Sequence, residues 1–199
     1  MLARFLAKES MGDPNSWAHE IIPRLWLGNF QAATSHEWLS GHRIEAVFNC
    51  SKNIPFALID PIRKYRIPLD DNLQAEEIRN ARLWSFEAVY RVAAEYNSGA
   101  QVLVHCHAGM QRSACVVAMF LIFLTRCKPD EAINFIKSRR PVAFLHSVNF
   151  KDAIYGFHDD YMRYIYEKGL SLVTPPKSIG ELMAPTQQPL PPLRKHATY

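Results

Sequence analysis

The chain has 199 residues, of which 48% are hydrophobic and 21% charged, and it carries a formal net charge of +4. This suits one folded domain with a full core and excludes a disordered chain. The mild positive balance is compatible with an anionic substrate and falls short of a nucleic-acid-binding signal.

Four cysteines, Cys50, Cys106, Cys115 and Cys127, lie far apart with no C-x-x-C pair. They read as thiols of a reducing compartment, not as a disulfide framework. The start, MLARFLAKESMGDP, has too short and too charge-broken an apolar run for a signal peptide. The longest apolar run, Ala114 to Leu124, is too short to cross a bilayer. The expectation is a soluble protein of the cytoplasm, or of cytoplasm and nucleus, with no nucleic-acid or membrane partner; oligomeric state stays open.

Residues 1–16 read as an irregular lead-in. IIPRLWLGNF alternates, consistent with one or two short strands ending at Gly28-Asn29. HEWLSGHRI gives a short helix closed by Gly41. EAVFNCS is a buried strand, and YRIPLDDN a strand running into a polar loop. From Ala75 to Asn97, residues Ile78, Phe86, Val89, Tyr90, Ala93 and Tyr96 recur at helical spacing until Ser98-Gly99. AQVLVHC is apolar throughout, as a central strand covered on both faces should be.

A buried helix is expected from about Arg112 to Arg126. KPDEAINFIKSRRP gives another, with Pro129, Asp130 and Glu131 in its first turn and Pro141 as a stop. A last helix runs from about Ser147 to Lys168 through Phe150, Ile154, Phe157, Tyr161 and Tyr164. Beyond Gly169 proline becomes frequent and periodicity is lost, so residues 17–168 are taken as the folded domain and 169–199 as a proline-rich, disordered tail. Strands alternating with helices imply an α/β fold of three layers, with a central, mostly parallel sheet flanked by helices.

The chemistry concentrates in VHCHAGMQRSA, Val104 to Ala114. A strand-to-helix turn directs backbone N–H groups inward, and the helix N-terminus adds partial positive charge, so the turn is an anion site. Gly109 allows close backbone approach. Arg112, the sixth residue after Cys106, can grip two phosphate oxygens with its planar fork. The same field favours a thiolate at Cys106, which would sit beneath a bound phosphorus as nucleophile. Ser113 could hydrogen-bond that thiolate. Asp70 and Asp71, upstream in IPLDDN, offer a carboxyl acid for the leaving oxygen. The bland alternative is that Cys106 is one more buried apolar cysteine.

VHCHAGMQRSA resembles the H-C-x-x-G-x-x-R-S signature of the cysteine-based dual-specificity protein phosphatases, and the likeness covers about residues 19–166. IIPRLWLGNFQAA is similar to that family's opening strands, IPLDDN to its acid loop and SRRP to the end of its penultimate helix. The resemblance implies a protein tyrosine phosphatase-like fold and hydrolysis of phosphotyrosine and phosphoserine or phosphothreonine through a phospho-cysteine, with no cofactor and no metal. Phosphorylated proteins, kinases among them, would be the partners. Carried over, Cys106 is the nucleophile, Arg112 the phosphate clamp and Asp71 the acid, with Asp70 its rival. Residues His107, Ala108, Gly109, Met110, Gln111, Arg112 and Ser113 form the phosphate loop. Where the family often has Pro-Asn before the last helix this chain has LHSVNF, so the side chain that props the loop is expected from Ser147 or Asn149. Met110 and Gln111 are unusual in the loop.

Other residues carry open alternatives. His105 is expected to hydrogen-bond the loop backbone, and His107 either touches substrate at the rim or is simply exposed. Cys50 is either a plain buried cysteine or a partner that captures an oxidised Cys106 as a disulfide. RKYRIPL has the look of a kinase-docking pattern on a core strand. Arg139 and Arg140 either hold a second phosphate or are solvated. PLPPLR, Pro189 to Arg194, fits the polyproline ligand pattern of SH3 domains. Rival functions are the same chemistry on a phosphoinositide, RNA 5′-triphosphate or phosphoglucan, and a phosphoprotein-binding scaffold without turnover.

Overall fold

The computed structural model describes residue 13 and residues 16–72, 74–170 and 178–183. Five strands form one sheet: β1 (Ala18–Ile22), β2 (Leu25–Gly28), β3 (Ala46–Asn49), β4 (Arg63–Arg66) and β5 (Val102–His105). The order is β1-β2-β5-β3-β4. Only β1 and β2 are antiparallel, and the β2–β5, β5–β3 and β3–β4 pairs are parallel. The apolar run of β5 therefore belongs to the central strand, as expected.

Alternation along the strands divides the core in two. Leu25, Leu27, Ala46, Phe48, Val102 and Val104 face one buried cluster, shared with α3 (Ala75–Asn97), α4 (Arg112–Thr125), α5 (Pro129–Arg139) and α6 (Lys151–Glu167). Ala18, Val47 and Leu103 face the other, under the short helices α1 (Phe30–Thr34) and α2 (His36–Gly41). Helices thus cover both faces, which is the three-layer arrangement.

Helix α4 is enclosed on all sides, with every residue from Ser113 to Ile122 buried. It ends at Arg126 in the left-handed region, φ 55. Helix α3 differs from the expected apolar face: Phe86 is 44% and Tyr90 71% exposed. Its buried face runs through Ala81, Ser85, Ala88, Val89, Val92, Ala93 and Tyr96, mostly small side chains that pack mainly against α4 and α6.

Two more boundaries moved. The strand expected in YRIPLDDN is Arg63–Arg66, at the sheet edge and not in its core. Arg63 pairs with Glu95 at 2.7 Å, and Arg66 donates to the carbonyls of Ser51, Lys52 and Ile54. With Ile67 and Leu69 also buried, the basic and apolar residues of RKYRIPL serve the fold and do not present a docking motif. The last helix starts at Lys151, four residues later than expected. Within the expected tail, a short helix α7 (Ile179–Met183) places Leu182 and Met183 against the main core cluster. The PLPPLR segment, Pro189 to Arg194, lies outside the described residues.

Candidate active site

The parallel strands β2, β5 and β3 end in register at Gly28, His105 and Asn49. Cys106 is the next residue after the central strand, at the carboxyl edge where open α/β sheets bind ligands. The backbone from Cys106 to Arg112 turns into α4, with Gly109 at φ 66. A Cβ at Gly109 would collide with the backbone of Gly28 and lie 2.8 Å from Arg140 Nη2, so glycine is required on two grounds.

The carbonyls of this turn are held from outside. Phe30 N–H donates to His107 O at 3.1 Å and Phe144 N–H to Met110 O at 2.8 Å. Arg140 donates from Nε to Gly109 O at 2.9 Å and from Nη2 to Ala108 O at 3.3 Å. A trans peptide points its C=O and the following N–H in opposite directions. Anchoring four consecutive carbonyls outward therefore turns the N–H groups of Ala108, Gly109, Met110 and Gln111 inward, into an anion-binding nest.

Cys106 lies at the floor of this nest, 2% exposed. Burial by itself would push its thiol up. The Arg112 guanidinium, the Ser113 hydroxyl and the N–H groups of Ser113 and Met110 outweigh burial and bring the thiol below its ordinary value. Ser113 Oγ donates to Cys106 Sγ at 3.2 Å. Burial pushes Cys115 in the opposite direction, beyond the usual thiol range, with no cation to offset it. The contrast separates the one activated thiol from the core thiols. Arg112 Nε is buried without a hydrogen-bond partner among the described residues, a charged donor that an oxyanion in the nest would satisfy.

Cys106, Arg112 and Asp71 open onto one cavity of about 470 Å³, lined also by His107, Ala108, Met110, Gln111, Leu145, His146, Ser147 and Asn149. Gly109 and Ser113 lie behind its wall. Asp71 Oδ1 accepts from Asn149 Nδ2 at 2.9 Å. Asp70 is used by the loop itself: its N–H donates to Glu77 Oε2 at 3.0 Å, and its Oδ1 accepts from Asp71 N–H at 2.9 Å. Glu77 is in turn paired with Lys52. The geometry thus presents Asp71 to the pocket and spends Asp70 on the turn.

Two expectations are corrected. Arg140 is completely buried and donates to Gly109 O, Ala108 O and Ser16 O, with His19 Nδ1 2.7 Å from its Nη1. It props the loop and cannot hold a second phosphate. Arg139 donates to Glu20 O at 3.1 and 3.3 Å and is not among the residues that line the cavity. The loop's prop is accordingly Arg140 and not Ser147 or Asn149; Asn149 holds Asp71 instead. The SRRP segment was the signal for this prop, but two adjacent arginines do not tell which one turns inward.

His105 is buried, with Nδ1 3.3 Å from Cys106 O. Burial, then Arg66 and Arg112, lower its pKa to about 4, so it is neutral at pH 7. His107 is at the cavity rim, its ring centroid 5.0 Å from that of Phe30. Cys50, buried at the end of β3, donates its N–H to His105 O at 2.7 Å; its thiol is free and pushed well up by burial and by Cys106. Among the described residues no cluster of His, Cys, Asp and Glu could hold a metal ion, and no helix is long and apolar enough to cross a membrane.

The chain is similar to known proteins over most of its length. The family model "Dual specificity phosphatase, catalytic domain" matches residues 25–160. Mouse dual specificity protein phosphatase 2 is 37% identical over 123 residues, covering 62% of this chain and 37% of that protein. Human dual specificity protein phosphatase 1 is 35% identical over 123 residues, covering 62% of this chain and 32% of that protein. The chain thus spans about a third of the length of these curated relatives. The crystal structure of human DUSP28 superposes with a TM-score of 0.65 at 22% identity, over 73% of this chain and 95% of that one, which shows the shared fold.

Proposed function

The chain belongs to the dual specificity phosphatase family, and from that membership we propose that it hydrolyses phosphotyrosine and phosphoserine or phosphothreonine in proteins through a phospho-cysteine. The observation that carries this reading is the activated thiol: Cys106 is buried, yet its pKa is lowered by Arg112, Ser113 and inward N–H groups.

The phosphoryl group sits in the nest with its three non-bridging oxygens on the inward N–H groups and the Arg112 fork. The Cys106 thiolate attacks phosphorus in line with the ester oxygen. The P–O bond breaks as the P–S bond forms, and Asp71 gives its proton to the departing oxygen. The resulting Asp71 carboxylate then takes a proton from water as that water attacks the phospho-cysteine. Orthophosphate leaves, and Ser113 Oγ stabilises the returning thiolate.

Protein substrates are favoured over phosphoinositides by the pocket's charge. Arg112 is the one fixed cation among the lining residues; the others include Asp71 and two histidines, and no lysine. A headgroup with further phosphates would need more cations than this wall supplies. The test is phosphate release by wild type, Cys106→Ser and Asp71→Asn from an aryl phosphate, phosphotyrosyl and phosphothreonyl peptides, a phosphoinositide and a triphosphate-ended RNA. Peptide turnover lost in Cys106→Ser and strongly reduced in Asp71→Asn is expected. Turnover confined to lipid or RNA would overturn the substrate class, and silence throughout would make the chain a phosphoprotein-binding scaffold.

A further inference from the structure

Gln111 stands at the residue before α4, where a polar side chain ordinarily caps its own helix. Here the side chain makes no cap bond. Both ends of its amide instead cross to the segment before α6. Nε2 donates to Ser147 O at 2.8 Å, and Oε1 accepts from Asn149 N–H at 3.1 Å. The side chain is nearly buried, 6% exposed, so the two bonds form a shielded two-point clip between the phosphate loop and residues 147–149.

The clip leads to the carboxyl of Asp71. Ser147 Oγ donates to Asn149 Oδ1 at 2.6 Å, which fixes the orientation of the Asn149 amide and turns Nδ2 toward Asp71 Oδ1, 2.9 Å away. A carboxyl oxygen that accepts an N–H is disfavoured as the site of the acidic proton. The proton is therefore placed on the other oxygen, Oδ2. The preceding segment contains Phe144 at φ 53 and His146 at φ 69, conformations that non-glycine residues adopt only where their surroundings hold them.

We propose that Gln111 is a positioning residue for the general acid: acting through Asn149, it ties the acid loop to the phosphate loop and selects the Asp71 oxygen that carries the proton. The proposal rests on the phosphatase reading above and adds to it a role for the side chain of a loop residue whose backbone N–H already belongs to the nest. Its consequence is selective. A mispositioned acid slows departure of a basic leaving group and matters little for one that leaves as a stable anion. General acid catalysis contributes roughly 10²–10⁴-fold, and a 1 Å misplacement can cost about 10²-fold.

The experiment compares kcat/KM of the full chain for phenyl phosphate and 2,4-dinitrophenyl phosphate in wild type, Gln111→Met, Asn149→Ala and Asp71→Asn. Gln111→Met keeps the length of the side chain and removes both hydrogen bonds. It is expected to lose about 10–100-fold on phenyl phosphate and at least ten times less on the dinitrophenyl ester, with Asn149→Ala following the same pattern. Combined with Asp71→Asn, Gln111→Met should add no further selective loss, since both act on one proton transfer. Equal losses on the two esters, or full selective additivity, would mean that Gln111 merely shapes the phosphate loop and would overturn the proposal. If wild type hydrolyses neither ester, the phosphatase reading fails, and amide hydrogen exchange decides the coupling. Peptides covering Leu69–Asn72 must then exchange faster in Gln111→Met, and unchanged exchange overturns it.

Discussion

Replacing Arg140 by methionine keeps most of the buried aliphatic volume and removes the guanidinium that props the phosphate loop. Among the described residues, three carbonyls lose a donor: Gly109 O, which is buried, and Ala108 O and Ser16 O, which are partly so. An unsatisfied buried carbonyl costs about 1–3 kcal/mol, and a partly solvated one nearer ~1 kcal/mol. Relief from burying a charge, whose pKa desolvation lowers to about 10, offsets part of this sum. The net loss expected is about 3 kcal/mol, which at a slope of roughly 1–3 kcal/mol per molar urea moves the unfolding midpoint down by about 1–3 M. Because the freed carbonyls can rotate inward and turn their N–H partners away from the substrate, kcat/KM should fall by at least ~10² even under conditions where the variant is fully folded. Urea unfolding followed by fluorescence, with turnover measured on the same preparation, reads both. A loss under about 1 kcal/mol together with wild-type turnover would refute the argument that Arg140 sets the peptide orientations of the loop.

Further consequences follow from the same structure. The pH midpoint for alkylation of Cys106 by iodoacetamide should lie below that of an ordinary thiol and rise in Arg112→Met, with a smaller rise in Ser113→Ala, as the order of their influence on the thiol requires; a single unshifted midpoint in all three proteins would contradict it. Gly109→Ala should abolish turnover and lower the melting temperature, because its Cβ meets both the Gly28 backbone and Arg140 at a φ of 66; near-normal activity would show that the loop can give way. His19 and His105 both have pKa values lowered to about 4 from an ordinary 6.5. The unfolded chain then binds more protons than the folded one between those values, so stability is fully present above pH 6.5 and drains away as pH falls toward 4. Calorimetry at stepped pH should show this slope, less steep in His105→Gln, and an unchanged slope would remove His105 from the account.

The sheet and the phosphate loop were legible because their signals are local. The apolar run of β5, the glycine forced into the left-handed region and the arginine at the first turn of α4 each follow from neighbours in sequence. What escaped depended on contacts between distant segments. Helical spacing marked an apolar face on α3 through Phe86 and Tyr90, but only packing against α4 and α6 shows that Ala81 and Ala88 take the buried side and leave those two rings exposed. The pair Arg139-Arg140 is symmetric in composition, and the direction of the chain leaving α5 decides which side chain reaches Gly109 O. Residues 147–150 have enough apolar character to read as helix, yet Ser147 and Asn149 are drawn out of it by Gln111 and Asp71. Choosing Asp71 over Asp70 likewise needed Glu77, whose carboxylate takes the Asp70 N–H and fixes the turn.

The central claim is that Cys106 carries the phosphoryl group between two half-reactions. The most direct measurement is rapid acid quench of the full chain mixed with excess radiolabelled phosphopeptide, followed by digestion and mass mapping of the label. Label on Cys106, absent in Cys106→Ser, is the predicted result. Turnover of the same peptide with no label on Cys106 at any quench time, or turnover that persists in Cys106→Ser, would contradict it.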